Sequence, residues 1–399
     1  MTLHLEEDPT LVDFYLLIIA MGMLMIKKPE KILIVRLSAI GDVVHVLPAL
    51  RSLRSNFPNS KITWLVEDKA SDILKGHPDI DEVITFPRRK WQRNILKINK
   101  ITSTVFEVFS FYKKLRKDCY DLVIDFQGNL KSGVMTLMTG SENRIGFEKG
   151  YCKEFNYLFT THRIRPPTKK MHKIDKNLAL LGGLGIETTF HRPELPVSRA
   201  DEKYISKFLR TKINDSLPII IVQPCTSKFG SYKRWPVSNY ALLADKILES
   251  YEANVIFSWG PGEINVVKKI VRNMKHKALV ACKTKSIKQL IELIRRADLF
   301  IGGDTGPLHI ASILDIPTVG IYGPKDPVIY GPYHGKAVVV RKELWCSPCK
   351  KRTCPDPECM TSILPEDVFH AVNKLMEECV AGIAITSSHK DITIEKSIS

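Results

Sequence analysis

The stretch G-G-D-T-G-P-L-H-I-A at residues 302–311 decides the fold. It follows the run 297–301, apolar apart from Asp298, and opens an apolar, helix-like segment, so it reads as a strand handing over to a helix through glycines. Such a turn leaves free backbone N–H groups at the positive end of a helix, which makes a cradle for an anion. Gly303 and Gly306 permit close backbone approach, Thr305 adds a hydroxyl donor, and Asp304 and His309 are polar groups that a purely structural turn does not require. A glycine-rich turn before a helix is also ordinary α/β architecture. Taken alone, the motif leaves a phosphate site and a plain turn both open.

A second site of the same style lies near the other end. Residues 31–37, K-I-L-I-V-R-L, form a β-branched run suited to a buried parallel strand. They lead into S-A-I-G-D at 38–42, and residues 43–53 carry helical spacing with Pro48 near the first turn. Asp42 therefore falls at the C-terminal end of the first strand, where α/β sheets keep their ligands. A simple helix cap is its other reading.

Between and beyond these sites, strand-like and helix-like runs alternate, the pattern of a parallel sheet with crossover helices. Strands are expected at 31–37, 61–66, 82–86 and 122–125, then at 219–223, 254–258, 279–281, 299–301 and 318–322. The break at 161–201 holds Arg165-Pro166-Pro167, a helix-like 174–181 and the Gly182-Gly183 stop. We place a linker near 190–215. The expected division is an N-terminal extension at 1–25, Rossmann-like halves at 26–200 and 201–385, and a flexible tail at 386–399. With 399 residues, the chain fits two α/β units of about 150 to 200 residues each. Asp42 then comes from one half and the 302–309 turn from the other, across a cleft.

The formal net charge of +16 favours polyanionic partners: nucleic acid, lipid headgroups or a phosphorylated glycolipid. No nucleic-acid signature accompanies the charge, so nucleic acid is not expected. The basic clusters at 88–93 and 97–117 read as a surface facing anionic lipid or acceptor, or as a solvated helix face. Residues 11–26 are apolar apart from Asp13, too short for a bilayer span and without a cleavage pattern. They read as an interfacial anchor, or as sequence upstream of a true start at Met21, Met23 or Met25.

Three ordered motifs carry a resemblance. I-L-I-V-R-L-S-A-I-G-D-V-V-H-V-L-P-A-L at 32–50, G-D-T-G-P-L-H-I-A-S from Gly303, and Y-G-P-K-D-P from Tyr322 resemble the glycosyltransferase family 9 heptosyltransferases of lipopolysaccharide assembly. The similarity spans nearly the whole chain after Met25. K-R-W-P from Lys233, I-D-F-Q-G-N-L-K-S from Ile124 and R-R-K-W from Arg88 resemble, within that family, the enzymes that add the first heptose to Kdo of the inner core.

The resemblance implies a GT-B fold of two Rossmann-like parallel-sheet domains facing a central cleft. It also implies an ADP-heptose donor, a Kdo2-lipid A acceptor and a metal-independent inverting transfer. The enzyme is then expected to be cytoplasmic and peripheral on the cytosolic face of the inner membrane. Asp42 matches the family's proposed general base. Lys233 matches the lysine on donor phosphate, with Thr226 and Ser227 beside it as hydroxyl donors. Thr305 and Gly306 N–H groups would grip the diphosphate, Asp304 would orient sugar hydroxyls or the loop, and His309 would contact phosphate or merely pack. Glu263, after Trp259-Gly260, sits where the family places a nucleoside-pocket acid, though slightly closer to the tryptophan. Ser38 matches a serine beside the base, while Ala39 replaces a second serine of the best-known members. Arg88, Arg89, Lys90 and Arg93 are the candidates for Kdo and lipid A acid groups.

Cys346, Cys349, Cys354 and Cys359 have the spacing C-x2-C-x4-C-x4-C, which leaves structural zinc and no metal both open; no catalytic metal or other cofactor is expected. Three function classes remain: transfer of the first heptose, with transfer of the second heptose or another family 9 transfer to a different acceptor as its neighbour; a nucleotide-sugar epimerase or hydrolase; and a basic binding module without catalysis.

Overall fold

The computed structural model describes residues 28–380 and 392–396. The expected 1–25 extension therefore lies outside the described residues. Two all-parallel sheets organise the rest. The first comprises β1 (Lys31–Val35), β2 (Lys61–Glu67), β3 (Glu82–Phe86), β4 (Leu122–Asp125), β5 (Arg144–Phe147) and β6 (His162–Ile164), in the order β3-β2-β1-β4-β5-β6. The second comprises β7 (Ile219–Gln223), β8 (Asn254–Phe257), β9 (Leu279–Val280), β10 (Leu299–Gly303), β11 (Thr318–Ile321), β12 (Ala337–Arg341) and β13 (Ile392–Lys396), in the order β13-β12-β11-β10-β7-β8-β9.

Read from β9, the second sheet repeats the first: third, second, first, fourth, fifth, sixth strand, with β13 added at the edge. The strand order reverses its winding between β1 and β4 in one sheet and between β7 and β10 in the other. At such switch points the loops leave in opposite directions and open a crevice at the carboxyl ends of the strands. The central strands are apolar throughout because helices cover both faces: Ile32, Leu33, Ile34 and Val35 of β1 and all of β10 are buried.

Four strands depart from the expectation. β5 and β6 are only 4 and 3 residues long and carry Arg144, Gly146, His162 and Arg163, so no apolar run marked them. β12, A-V-V-V-R, is a plain β-branched strand set between two loop-like motifs. The flexible tail expected at 386–399 is corrected where it is described: Ile392–Lys396 pairs in parallel with β12. The linker is corrected too. Helix Lys173–Gly182 packs on helix Leu47–Asn56 of the first half, and helix Arg199–Lys212, capped by the Ser198 side chain, packs on helix Ile287–Arg295 of the second. The connection thus occupies 183–198, because the polar residues beyond 198 form an amphipathic helix burying Ile205 and Leu209.

Candidate active site

Asp42 is the third residue of the short helix Ile40–Val44 that follows β1. One carboxylate oxygen accepts the Ala39 N–H at 3.2 Å, and the other meets Arg36 Nη2 at 2.7 Å. Asp42 is therefore not the cap residue itself; it reaches back to the cap and keeps a side chain that is 35% exposed. Burial alone would raise its pKa, but Arg36, Lys173, the Ala39 N–H and His309 outweigh that and hold it below the ordinary aspartate value. It is ionised at neutral pH.

Across the seam, helix Gly306–Ile313 starts directly after β10, with Thr305 in extended backbone at its cap position. Asp304 accepts from Lys233 Nζ twice, through its carboxylate at 2.7 Å and its carbonyl at 2.6 Å. Its other carboxylate oxygen lies 3.3 Å from His309 Nε2. Burial would raise the Asp304 pKa, yet His309 and Lys233 bring it down to about 2. Lys233 ends the 3-10 turn that follows β7, so the two sides of the second switch point are joined by an ion pair.

The two switch points touch. A side chain at Gly41 would come within 2.6 Å of the His309 ring, and one at Gly306 within 3.1 Å of Ile40. His309 packs edge-on against His45, with ring centroids 4.3 Å apart, and His45 in turn meets His172 at 5.4 Å. Burial drives the pKa of His45 far down and that of His172 to about 3, so both rings are neutral. Glycine is required at both contacts because helix starts from opposite halves approach to backbone distance.

The remaining expected residues distribute as follows. Thr226 Oγ1 accepts from Arg234 Nε at 3.1 Å and donates to the Ser227 carbonyl at 3.3 Å, while Ser227 is exposed beside it. Glu263 accepts the Gly260 N–H at 2.8 Å after β8, and burial raises its pKa against the opposing effects of that N–H and Arg234. Thr226, Glu263, Asp304, Thr305 and Gly306 thus all follow the carboxyl ends of β7, β8 and β10. Ser38 follows β1 and gives its N–H to Gln127 Oε1 at 3.3 Å. Arg88, Arg89, Lys90 and Arg93 lie on helix Arg88–Ile95; Arg88 pairs with Glu67 at 3.3 Å and Lys90 with Glu107 at 2.9 Å. This group is tied to the end of β2 and to the next helix rather than gathered around Asp42.

Around Asp42 the structure gathers residues to which the sequence reading gives no role of their own. Arg36, Asp42, His45, Gln127, Lys173, Lys176 and Asn177 line one small cleft beside Asp42. Lys173 sits over the Tyr330 ring at 5.5 Å, and Lys176 donates to the Tyr151 carbonyl at 2.6 Å. Among the described residues neither lysine has an ion-pair partner, so three cations face one carboxylate. Burial and the neighbouring Lys173 lower the Lys176 pKa to about 8. The available signal was Lys173 and Lys176 at i, i+3 on the helix-like stretch at 174–181, but nothing in the chain says which strand exit that helix packs beside.

Asp125, fully buried at the end of β4, organises the facing loop. It accepts the Gln127 and Gly128 N–H groups, the Ser132 hydroxyl and the Asn156 amide. Gln127 then fixes the β1 loop by accepting the Leu37 N–H at 2.8 Å. Four of the eleven buried side-chain atoms without a partner among the described residues lie at the seam: Arg36 Nε, both ring nitrogens of His45, and Thr305 Oγ1. Buried polar atoms are nearly always paired, so this concentration marks a place where a polar ligand fits.

Cys346, Cys349, Cys354 and Cys359 carry free thiols. Among the described residues no group of three or more His, Cys, Asp or Glu side chains is arranged to hold a metal ion. Nor is any described helix long and apolar enough to cross a membrane.

The family model for glycosyltransferase family 9 (heptosyltransferase) matches residues 108–360. The lipopolysaccharide core heptosyltransferase OpsX of Haemophilus influenzae is 28% identical over 78% of this chain and 84% of its own length. The lipooligosaccharide heptosyltransferase 2 of Campylobacter jejuni is 27% identical over 84% of this chain and 96% of its own. Among solved structures, the E. coli heptosyltransferase WaaC with ADP superposes with a TM-score of 0.67 at 22% identity, covering 87% of this chain and 99% of that one. The two-sheet architecture is the GT-B fold.

Proposed function

Since the chain belongs to glycosyltransferase family 9, the heptosyltransferases, we propose that it moves a heptose from ADP-heptose to Kdo of the lipopolysaccharide inner core, with inversion and without a metal ion. One observation carries this reading: Asp42, after the first switch point, and the Gly306 helix start, after the second, lie on either side of one seam. In the proposed reaction the acceptor hydroxyl oxygen forms a bond to the anomeric carbon as the bond to the diphosphate breaks. The proton passes to the Asp42 carboxylate, and ADP leaves with the electron pair. Charge growing on the diphosphate is met by Lys233, by the Thr305 and Gly306 N–H groups and by the Thr226 and Ser227 hydroxyls. Asp304 holds Lys233 and His309 in place. Glu263 accepts from the ribose.

On the acceptor side, Arg36, Lys173 and Lys176 take the sugar acid's carboxylate, and Ser38 contacts the same ring. Arg88, Arg89, Lys90 and Arg93 face lipid A phosphates, as expected of an enzyme working at the cytosolic face of an anionic membrane. ADP bound to the E. coli relative supports the donor, and the core heptosyltransferase of Haemophilus influenzae supports the acceptor class. A second reading, transfer of the second heptose, is favoured by the Campylobacter relative.

Incubation with ADP-heptose and Kdo2-lipid A, read by product mass, tests the reading. We expect one added heptose, retained in the presence of a chelator. Product only from an acceptor that already bears one heptose would support the second reading. Donor consumption without any acceptor would point to a hydrolase or epimerase.

A further inference from the structure

We propose that the segment from Arg88 to Lys117 is a bilayer-docking surface, inserting apolar side chains among the acyl chains of an anionic membrane while its basic rim binds lipid headgroups. The inner face of helix Ile101–Lys117 is settled: Leu115 is buried, and Phe111 lies edge-on to Trp91, which packs on Phe86 with centroids 5.3 Å apart. The outer face is apolar as well. Ile101, Val105 and Phe109 recur every four residues and so share one side of the helix, with Phe106 beside them. Leu96 and Ile98, in the turn before the helix, are 86% and 91% exposed, and Phe106 and Phe109 are 75% and 70% exposed. A soluble surface seldom gathers this many large apolar tips in one segment.

The charge around the tips selects the partner. Residues 88–117 hold ten Lys and Arg and a single acid, Glu107, which is already engaged by Lys90 and the Trp91 indole. Arg89, Arg93, Lys97, Lys100, Lys113 and Lys117 are all exposed. Protruding apolar side chains ringed by cations match a membrane interface, which needs no shaped groove and supplies both acyl chains and phosphates. The surface also adjoins the site: Arg88 pairs with Glu67 at the carboxyl end of β2, and the Glu67 N–H bonds the Leu37 carbonyl on the loop after β1. Docking there would lay the cleft of the proposed transferase against the leaflet that holds its lipid acceptor, and in this respect the inference rests on that functional reading.

Sedimentation of the full chain with vesicles tests the proposal. Wild-type protein should bind vesicles of phosphatidylethanolamine with phosphatidylglycerol, bind neutral phosphatidylcholine vesicles far less, and lose binding as salt rises. Phe106→Ser with Phe109→Ser should lower partition onto the anionic vesicles by roughly tenfold or more. The same variant should transfer heptose to a detergent-dispersed acceptor at the wild-type rate. A tryptophan at Phe106 should be quenched by brominated acyl chains. Unchanged partition in the double serine variant, equal binding to neutral vesicles, or binding that vanishes on removal of residues 1–24 with the stripe intact would overturn the proposal. Loss of transfer in wild-type protein would bear instead on the functional reading.

Discussion

At the scale of single residues, the cleft beside Asp42 carries more positive charge than its own carboxylate balances. Lys176, with its pKa lowered to about 8, is charged below that pH and neutral above it. The KM for the acid-bearing acceptor should therefore climb as pH passes through about 8, while donor affinity stays level. Lys176→Arg should remove that alkaline limb, because guanidinium remains protonated. Steady-state kinetics from pH 6 to 10 check both outcomes. Asp42 adds no acid limb between pH 5 and 7, since its depressed pKa leaves it ionised throughout. Lys233→Ala frees the buried Asp304 carboxylate from its ion pair and would remove the charge-assisted contact proposed for the leaving group. Transfer should fall by roughly ten- to a hundredfold, with a matching loss of ADP affinity by calorimetry.

At the scale of elements, the loop after β4 depends on one buried carboxylate. Asp125→Ala would leave the Ser132 hydroxyl, the Asn156 amide and two backbone N–H groups without their acceptor. Unfolding by denaturant should show a loss of about 2 to 4 kcal/mol. The strands flanking these loops were legible in the chain: β1, β4, β7 and β10 are apolar runs, and glycine or aspartate marks the exits of β1, β4 and β10, proline that of β7. Asp42 and the 302–309 turn were legible for the same reason. What the chain hid was pairing at a distance. Lys173 and Lys176 lie more than 130 residues from Arg36, and their helix shows its place beside the β1 loop only once the chain is folded. β5 and β6 were hidden by brevity, since strands of 4 and 3 residues carry no period to detect. The cations at 88–93 were legible as charge, but not their partners: Arg88 meets Glu67 and Lys90 meets Glu107.

At the scale of the whole molecule, the chain uses one sheet plan twice and sets the two switch points against each other. Contacts at several places hold the halves: His172 to the Gly331 carbonyl at 3.1 Å, the Ile287 N–H to Asp72 at 3.2 Å, and Gly41 against His309. Gly41→Ala places a methyl group where the His309 ring now lies, so the halves must part slightly. The expected result is a transfer rate at least about tenfold lower with little change in thermal midpoint, because displacing reacting groups by a fraction of an ångström costs rate more than stability. The central claim is that Asp42 takes the acceptor's proton while the opposite half holds the donor, and Asp42→Asn tests it while preserving shape. ADP affinity by calorimetry and heptose transfer by product mass should be measured on the same preparation. The account predicts ADP affinity within about twofold of wild type and a rate lower by roughly 10² to 10⁴. Transfer at the wild-type rate in that variant would contradict it.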